Sequence, residues 1–239
     1  MKTTIIIPTY NEGENLPKIA AAVLSLPVPD LNILVVDDAS PDGTGELAES
    51  LGREWNGRVR VLHRSGKLGL GTAYIQGFQE CLARGDEAIG QMDADFSHPP
   101  EKILGLMDAL EQCDVAVGSR YVPGGSLDLE WPLWRKFLSA FGNFYARTIL
   151  GLPIRDVTGG FRLWRAATLA AMPLDNVRSN GYVFQVEMAY VAHRLGFTCQ
   201  EIPIYFAERR LGTSKMSLRI QIEAALRVWS LPGRYRDLK

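Results

Sequence analysis

Short apolar runs alternate with longer amphipathic stretches through the first half of the chain. The apolar runs predict five strands, at residues 4–7, 33–36, 59–62, 88–92 and 115–117. The stretches between them have helical periodicity, at residues 14–26, 43–55, 71–84 and 100–111. Regular alternation of strand and helix is typical of an α/β fold, and it predicts a mostly parallel, doubly wound sheet.

Polar segments follow four of the predicted strands. They are Pro8-Thr9-Tyr10-Asn11-Glu12, the run from Asp37 and Asp38 to Gly43, Asp93-Ala94-Asp95, and Gly118-Ser119-Arg120. Ligands of such sheets bind beyond the carboxyl ends of the strands, so we expect these segments to share one crevice. Asp37 and Asp38 can accept hydrogen bonds there from a base or a ribose. Each segment taken alone is equally explained as a turn or a helix cap.

Asp93 and Asp95 are the most informative pair in the sequence. Two carboxylates separated by one residue, directly after a strand, can hold a divalent metal against the diphosphate of a nucleotide. Alone the pair is weak evidence, because two solvated acids are common in a strand-to-helix turn. Together with the other strand-end segments, the pair predicts a sugar-nucleotide transferase.

Composition sets the class of protein. With 239 residues, 46% of them hydrophobic and 22% charged, the chain has material for one main domain. Cys81, Cys113 and Cys199 are widely spaced without a CxxC pair, which predicts buried, reduced thiols in a cytoplasmic protein. We expect neither a signal peptide nor a membrane span, since apolar runs of about 20 residues are lacking. The formal net charge of -1 gives no indication of a nucleic-acid partner.

Positive charge is concentrated at the end of the chain. Residues 209–239 hold eight Lys and Arg against two acids. This excess suits an anionic ligand or an anionic membrane surface. A solvated terminal helix explains it equally well.

The segment from His63 to Gly71 resembles a phosphate-binding loop but fits neither standard spacing. Tyr74 stands where a dinucleotide loop needs glycine, and Lys67 is followed by Leu68 instead of the Ser or Thr of a P-loop. A tight helix entry and a role near the nucleotide remain open, with Lys67 as a minor candidate.

The chain resembles the polyprenyl-phosphate sugar transferases of glycosyltransferase family 2, of the dolichol-phosphate mannosyltransferase type. The matching segments are, in order, TIIIPTYNEGENLP, VVDDASPDGT, GLGTAYIQGF, MDADFSHPPE, VGSRYVPGG and DVTGGFRLW. The resemblance covers residues 3–216 and implies a GT-A type nucleotide-binding fold with C-terminal acceptor-site helices. It also implies an inverting transfer of a sugar, best mannose from GDP-mannose, to a polyprenyl (dolichyl) phosphate.

The resemblance further implies which residues bind the nucleotide sugar. They are Pro8, Tyr10, Glu12, Asp37 or its neighbour Asp38, Asp93, Ala94, Asp95, Arg120, Arg209 and Lys215. Asp95, Arg120 and Lys215 are the expected catalytic residues, with Lys215 stabilising the leaving diphosphate.

The implied metal is Mg2+ or Mn2+, which suit oxygen ligands. Its expected ligands are Asp93, Asp95 and the residue two positions later, which is often Gln in this family and is Ser97 here. A serine hydroxyl is a shorter neutral ligand, so a water or His98 is expected to complete the shell.

The predicted helix at residues 134–150 is the expected acceptor site. Its apolar positions are Trp134, Phe137, Leu138, Phe141, Phe144, Tyr145 and Ile149, and a polar stripe of Arg135, Ser139, Asn143 and Arg147 recurs every fourth residue. The pattern alone also fits a core helix with one wet face. The resemblance implies that Arg120, Arg135 and Ser139 bind the acceptor phosphate.

The last predicted helix, at residues 217–231, is basic and amphipathic. It divides the chain into a catalytic domain, 1–216, and a C-terminal helix and tail, 217–239. The helix can pack on the domain or lie on a bilayer. We expect a peripheral enzyme on the cytoplasmic face of a membrane, with a separate membrane-anchoring partner as a further possibility.

The expected mechanism is a single displacement by a phosphate oxygen of the lipid at the anomeric carbon. That oxygen is already anionic, so the enzyme needs cations to hold two anions together more than it needs a general base. A hydroxyl acceptor would need such a base, and Asp156 is the candidate, unless it is a loop acid that caps the loop or pairs with Arg162. Transfer from a UDP-sugar, and a nucleotide-sugar-binding module without activity, also remain open. A magnesium phosphohydrolase fits poorly, because its nucleophilic aspartate should follow the first strand, where Pro8-Thr9-Tyr10 stands.

Overall fold

The computed structural model describes residues 1–207 and 218–238, and one large sheet lies at its centre. The strands are β1 Thr3–Thr9, β2 Leu31–Asp37, β3 Val59–His63, β4 Ala88–Gln91, β5 Val115–Ser119, β6 Ser126–Leu127, β7 Arg162–Arg165, β8 Cys199–Pro203 and β9 Tyr205–Phe206. The large sheet has the order β3-β2-β1-β4-β7-β5-β8, and β6 pairs with β9 in a small parallel sheet. Only β7 runs antiparallel to its neighbours within the described sheet, so the predicted mostly parallel sheet is confirmed.

Helices cover both faces of this sheet. They are α1 Leu16–Leu24, α2 Thr44–Glu54, α3 Leu70–Ala83, α4 Lys102–Leu110, α5 Leu133–Leu150, α6 Ala166–Ala171, α7 Tyr182–Arg194 and α8 Leu218–Arg234, with a 3-10 turn at Leu174–Asn176. Successive side chains of a strand point to opposite faces. Ile5 and Ile7 of β1 are accordingly buried with α1, α2 and α4, and Ile6 is buried with α3 and α7. Two apolar cores therefore hold β1 in the middle of the molecule.

β7 was not predicted, because its sequence Arg-Leu-Trp-Arg lacks an apolar run. Arg162 is nevertheless 1% exposed and donates to three backbone carbonyls, those of Val157, Gly159 and Gln185, at 2.8, 3.0 and 2.8 Å. A buried guanidinium whose donors are satisfied in this way is compatible with a central strand. Arg162 thereby fixes the loop that precedes β7.

The apolar face of α5 is exposed. Trp134, Phe137, Phe141 and Phe144 have exposed fractions of 66, 72, 51 and 63%. The buried flank of α5 is instead formed by Asn143, Ala146 and Leu150. The alternative interpretation of these aromatic residues as core is therefore wrong.

The far end of α8 packs into the core. Val228, Leu231 and Tyr235 are buried against α7. The fully buried carboxylate of Glu187 accepts hydrogen bonds from Arg234 Nη1 at 2.7 Å and Tyr235 Oη at 2.8 Å. The terminal helix is thus attached to the rest of the fold, and a boundary at residue 216 stays a prediction.

Two sequence expectations concern thiols and membrane spans. The three cysteines are unpaired, with Cys81 and Cys113 buried and Cys199 half-buried. Of the helices in the described ranges, none combines the length and apolarity needed to cross a bilayer.

Candidate active site

The polar segments predicted to share a crevice do lie at one edge of the sheet. β1, β2, β4 and β5 run in the same direction, so their carboxyl ends meet there. β7 separates β4 from β5, which places the ends of these two strands about 10 Å apart at the usual spacing between strands. That span suits a ligand the size of a nucleotide sugar better than a lone metal ion.

The ends of β1 and β2 are tied together by Asp37. This carboxylate is 2% exposed and accepts hydrogen bonds from Thr9 Oγ1 at 2.9 Å and from the backbone N and hydroxyl of Ser40 at 3.0 and 2.6 Å. Asp37 therefore fixes the relative position of the two loops. Gly45 of α2 fits closely beside it, since a Cβ there would lie 3.1 Å from Asp37 Oδ2.

Asp38 points to a different partner, Arg64, which follows β3. The two form a buried ion pair, and Arg64 Nη2 also donates to Thr72 Oγ1 at 2.5 Å. Burial raises the pKa of Asp38, and the charge of Arg64 opposes this rise only in part. Arg64 was missed by the sequence analysis, although its place directly after a strand was a signal for it.

Tyr10 and Lys67 meet at the mouth of the crevice. The Tyr10 ring is 37% exposed, and Lys67 Nζ lies 3.9 Å from its centre. This cation–π contact holds the loop before α3 next to β1. Gly71 opens α3 where an added Cβ would lie 2.3 Å from the Ser179 carbonyl, so the glycine serves tight helix packing.

Pro8, Glu12 and Ala94 support the loops around these residues. Pro8 is half-buried in β1 opposite Val36, and Ala94 is 4% exposed. Glu12 Oε2 accepts a hydrogen bond from Asn15 Nδ2 at 2.8 Å.

Asp93 and Asp95 lie on a tightly bonded turn after β4. Asp95 Oδ1 accepts the backbone N–H of Ser97 at 3.0 Å, and His98 Nδ1 accepts the backbone N–H of Asp93 at 3.1 Å. Burial lowers the pKa of His98, so its ring is neutral and carries its proton on Nε2. The nitrogen that faces the turn is therefore engaged by the backbone, and His98 fixes the turn through this hydrogen bond.

The residues of this turn suit a divalent metal whose remaining ligands come from the substrate and from water. No cluster of three or more His, Cys, Asp and Glu occurs among the residues described, so carboxylates alone do not form a full shell. Mg2+ commonly takes one or two carboxylates together with phosphate oxygens and waters. Ser97 Oγ is buried without a hydrogen-bond partner in the described structure, so an oxygen ligand is left over in the same turn.

Strained backbone is concentrated in these loops. Asn11, Ala39 and Phe96 have φ angles of +62°, +53° and +61°, and they follow β1, β2 and β4 respectively. Such angles are uncommon for residues other than glycine and cluster at functional sites.

Replacement of Ala39 with glycine is expected to raise the free energy of unfolding by about 1 kcal/mol, because glycine adopts a positive φ without steric cost. Ala170→Gly, at an exposed position of α6, is the matched control and should lower it by about 1 kcal/mol. Denaturant unfolding of the three proteins measures both changes. A loss of stability in the Ala39 variant would contradict the assignment of strain to this loop.

Arg120, at the end of β5, is held by Asp156. Its Nε and Nη2 each donate to the carboxylate at 2.7 Å, its backbone N donates at 3.0 Å, and Nη2 also donates to Thr158 Oγ1 at 2.8 Å. Burial alone would raise the pKa of Asp156, but the charge and hydrogen bonds of Arg120 outweigh it and hold this pKa below its usual value. Of the two structural alternatives for Asp156, capping of its own loop is observed, since Oδ1 accepts the backbone N–H of Gly159 at 3.0 Å, but its ion-pair partner is Arg120 instead of Arg162. A fully buried, weakly basic carboxylate is also poorly suited to act as a general base.

Aromatic rings connect Arg120 with Arg135, the α5 arginine expected to bind the acceptor phosphate. The Phe206 ring lies 5.2 Å from Arg120 Cζ and 5.8 Å from the Trp131 ring. Arg135 Cζ lies 3.5 Å from the centre of Trp131, and the Phe206 ring also contacts His98 at 5.5 Å. One contiguous set of rings therefore joins α5, β5 and the Asp93–Asp95 turn. Trp131 and Phe206 were not predicted, because they come together through the small sheet of β6 and β9.

Ser139 is tied to the same region. Its hydroxyl accepts a hydrogen bond from Tyr121 Oη at 2.7 Å, and Tyr121 directly follows Arg120. The three residues expected to bind the acceptor phosphate are thus grouped beside the end of β5. Arg209 and Lys215 lie outside the described residues.

Known glycosyltransferases are similar to this chain in sequence. The family model described as Glycosyl transferase family 2 matches residues 4–171. An undecaprenyl-phosphate mannosyltransferase of Micrococcus luteus is 48% identical over 241 residues, which cover 100% of this chain and 98% of the relative. A polyprenol monophosphomannose synthase of Mycolicibacterium smegmatis is also 48% identical, over 98% of this chain and 88% of the relative.

Solved structures share the fold at lower identity. Glucosyl-3-phosphoglycerate synthase from Mycobacterium tuberculosis, in complex with Mn2+, UDP and glucosyl-3-phosphoglycerate, has a TM-score of 0.65 at 15% identity. The match covers 98% of this chain and 79% of that one. A second structure of that synthase has a TM-score of 0.62 at 19% identity. The mostly parallel sheet between helices is of the predicted GT-A type.

Proposed function

The chain belongs to glycosyl transferase family 2, and we propose that it transfers mannose from GDP-mannose to a polyprenyl phosphate. The observation that carries this proposal is the 48% identity, over practically the whole chain, to two polyprenyl-phosphate mannosyltransferases. The site supports it, because carboxylates for a metal–diphosphate pair and arginines for a second anion lie at one edge of the sheet.

In this proposal the nucleotide sugar binds across the ends of β1, β2 and β4. Tyr10 and the loops fixed by Asp37 and Asp38 border the nucleoside. Asp93 and Asp95, with Ser97, would hold Mg2+ or Mn2+, which neutralises the charge that develops on the diphosphate when it is bound. Arg209 and Lys215 remain proposed donors to the same diphosphate.

The acceptor phosphate binds between Arg120, Arg135 and Ser139. Its oxygen is the nucleophile, the bond from the anomeric carbon to the diphosphate breaks, and the nucleoside diphosphate leaves with the electron pair. The arginines bring two anions into contact, which is the main requirement when the nucleophile is already charged. The burial and low basicity of Asp156 favour this route over attack by a hydroxyl.

We place the enzyme on the cytoplasmic face of a membrane as a peripheral protein. The unpaired cysteines fit a reducing compartment. The exposed aromatic face of α5 offers a surface for lipid or for a membrane-anchoring partner.

The acceptor assignment is tested by kinetics. A polyprenyl phosphate should accept the sugar and the matching polyprenol should not, and chelation of divalent metal should stop transfer. Arg135→Ala should raise the KM for the lipid phosphate about tenfold or more, because one charge-assisted hydrogen bond is lost. Lys136→Ala, the next cation on α5, is the matched control, since its Nζ donates to the Leu129 carbonyl at 3.1 Å. Equal use of polyprenol and polyprenyl phosphate would refute the proposal.

A further inference from the structure

A pocket opens beside the exposed aromatic face of α5 and is not part of the proposed reaction. Its volume is about 290 Å³, and its lining residues are Tyr121, Ala140, Asn143, Phe144, Arg147 and Arg155. Tyr145, whose hydroxyl donates to the Ala225 carbonyl of α8 at 3.2 Å, lies on the opposite flank of α5 from Arg147. The aromatic face is therefore bordered by α8 on one side and by this pocket on the other.

Among the residues that line this pocket, Arg147 and Arg155 have guanidinium groups that are available to a ligand. Tyr121 Oη already donates to Ser139, and the Asn143 amide bonds to Thr158 and to the Ser139 carbonyl. Within residues 1–207 and 218–238, neither the Arg147 nor the Arg155 guanidinium has a hydrogen-bond or ion-pair partner. Two guanidinium groups at one pocket suit a phosphate group.

Arg147 of this pocket lies far from Arg135 of the proposed acceptor-phosphate site, although Tyr121 of the pocket donates to Ser139 of that site. Arg135 and Arg147 are twelve residues apart on one helix, which corresponds to about 18 Å along its axis. One phosphate cannot contact both side chains in that geometry. A phosphate held by Arg147 would therefore be a different group from one held by Arg135.

The surroundings of the pocket indicate the chemistry of that anion. Phe144 lines the pocket and is also part of the exposed aromatic face, together with Phe137 and Phe141. Trp229 of α8 is exposed as well, and its Nε1 donates to Tyr145 Oη at 2.7 Å, so α5 and α8 form one surface. Aromatic side chains flanked by arginines are typical of a surface that inserts into the headgroup region of a bilayer.

We propose that the Arg147–Arg155 pocket binds the phosphate headgroup of an anionic phospholipid and docks the α5–α8 face on the membrane surface. The inference rests on the proposed function only in placing the enzyme at a lipid surface. Docking would orient the acceptor site toward the bilayer from which its lipid substrate comes.

Binding of the full chain to vesicles, without nucleotide sugar, tests this docking. Vesicles of phosphatidylcholine mixed with phosphatidylglycerol should bind the chain more tightly than vesicles of phosphatidylcholine alone. Arg147→Gln should weaken binding to the anionic vesicles about fivefold, and the double variant with Arg155→Gln about 25-fold. Arg53→Gln, at an exposed position of α2, is the matched control and should leave binding unchanged.

Three binding results would overturn the proposal. They are unchanged vesicle binding by the double variant, equal binding to neutral and anionic vesicles, and binding of inorganic phosphate that the double variant loses, which would mark a site for a soluble anion. Transfer to a detergent-dissolved acceptor should be the same in the parent and the double variant, and a selective loss would assign the arginines to the acceptor site. Failure of the proposed function would appear instead as absent transfer by the parent, whatever the vesicles do.

Discussion

Replacing Asp95 with alanine is expected to lower the rate of sugar transfer about 10³-fold, because in the proposed function the diphosphate would lose a ligand of the metal that would neutralise its charge. Asp95 is suited to this role by its position, since it is 6% exposed and its turn is fixed by Ser97 and His98. Initial rates of transfer of labelled sugar into an organic phase measure the effect at saturating metal.

A loss of rate must be separated from a loss of loop structure. Asp95→Asn keeps an oxygen that can accept the Ser97 N–H while it removes the charge, so it should lose most of the rate and keep the parental stability. Asp108→Ala, at an exposed position of α4, is the control for loss of a carboxylate elsewhere. Near-parental transfer by both Asp95 variants would show that the turn does not bind the metal.

Replacing Asp156 with alanine should lower the free energy of unfolding by about 3–5 kcal/mol, because it leaves the buried Arg120 guanidinium without its partner. For a chain of this size the melting temperature should fall by about 10 °C. Thermal and denaturant unfolding measure the change. Glu80→Ala breaks an exposed ion pair with Arg84 and should cost less than about 1 kcal/mol, so it is the matched control.

Variants of Asp156 also distinguish transfer to a phosphate from transfer to a hydroxyl. If Asp156 positions Arg120, then variants of Asp156 lose stability and acceptor affinity together. If Asp156 were the base for a hydroxyl acceptor, Asp156→Asn would abolish turnover and leave the KM for the acceptor unchanged. An Asp156→Ala protein as stable as the parent would contradict the structural role.

The sheet and the location of the site were predictable because both follow from local rules. Strands with buried faces appear as apolar runs, and a parallel sheet collects the residues that follow its strands. The location of Asp93, Asp95 and Arg120 at this edge was predicted in this way. β7 was not predicted, because Arg162 is buried with its donors bonded to backbone carbonyls. A search for apolar runs does not reveal a strand of this kind.

The partners within the site could not be predicted from the sequence. Asp156 lies 36 residues after Arg120, and Phe206 lies 75 residues after Trp131, so their contacts depend on how loops fold back. The positive φ angles of Ala39 and Phe96 could not be predicted from the sequence either, because neither residue type favours such angles. Helical periodicity identified the apolar face of α5 correctly, but periodicity does not distinguish a face turned to the core from one turned outward.

Transfer of mannose from GDP-mannose to a short polyprenyl phosphate is the most direct test of the proposed function. The purified chain, supplied with Mg2+ or Mn2+, should move labelled mannose into the organic phase, and a chelator should prevent this. UDP-sugars should serve as donors much less well. Tight binding of GDP without any transfer, or transfer from a UDP-sugar alone, would contradict the account.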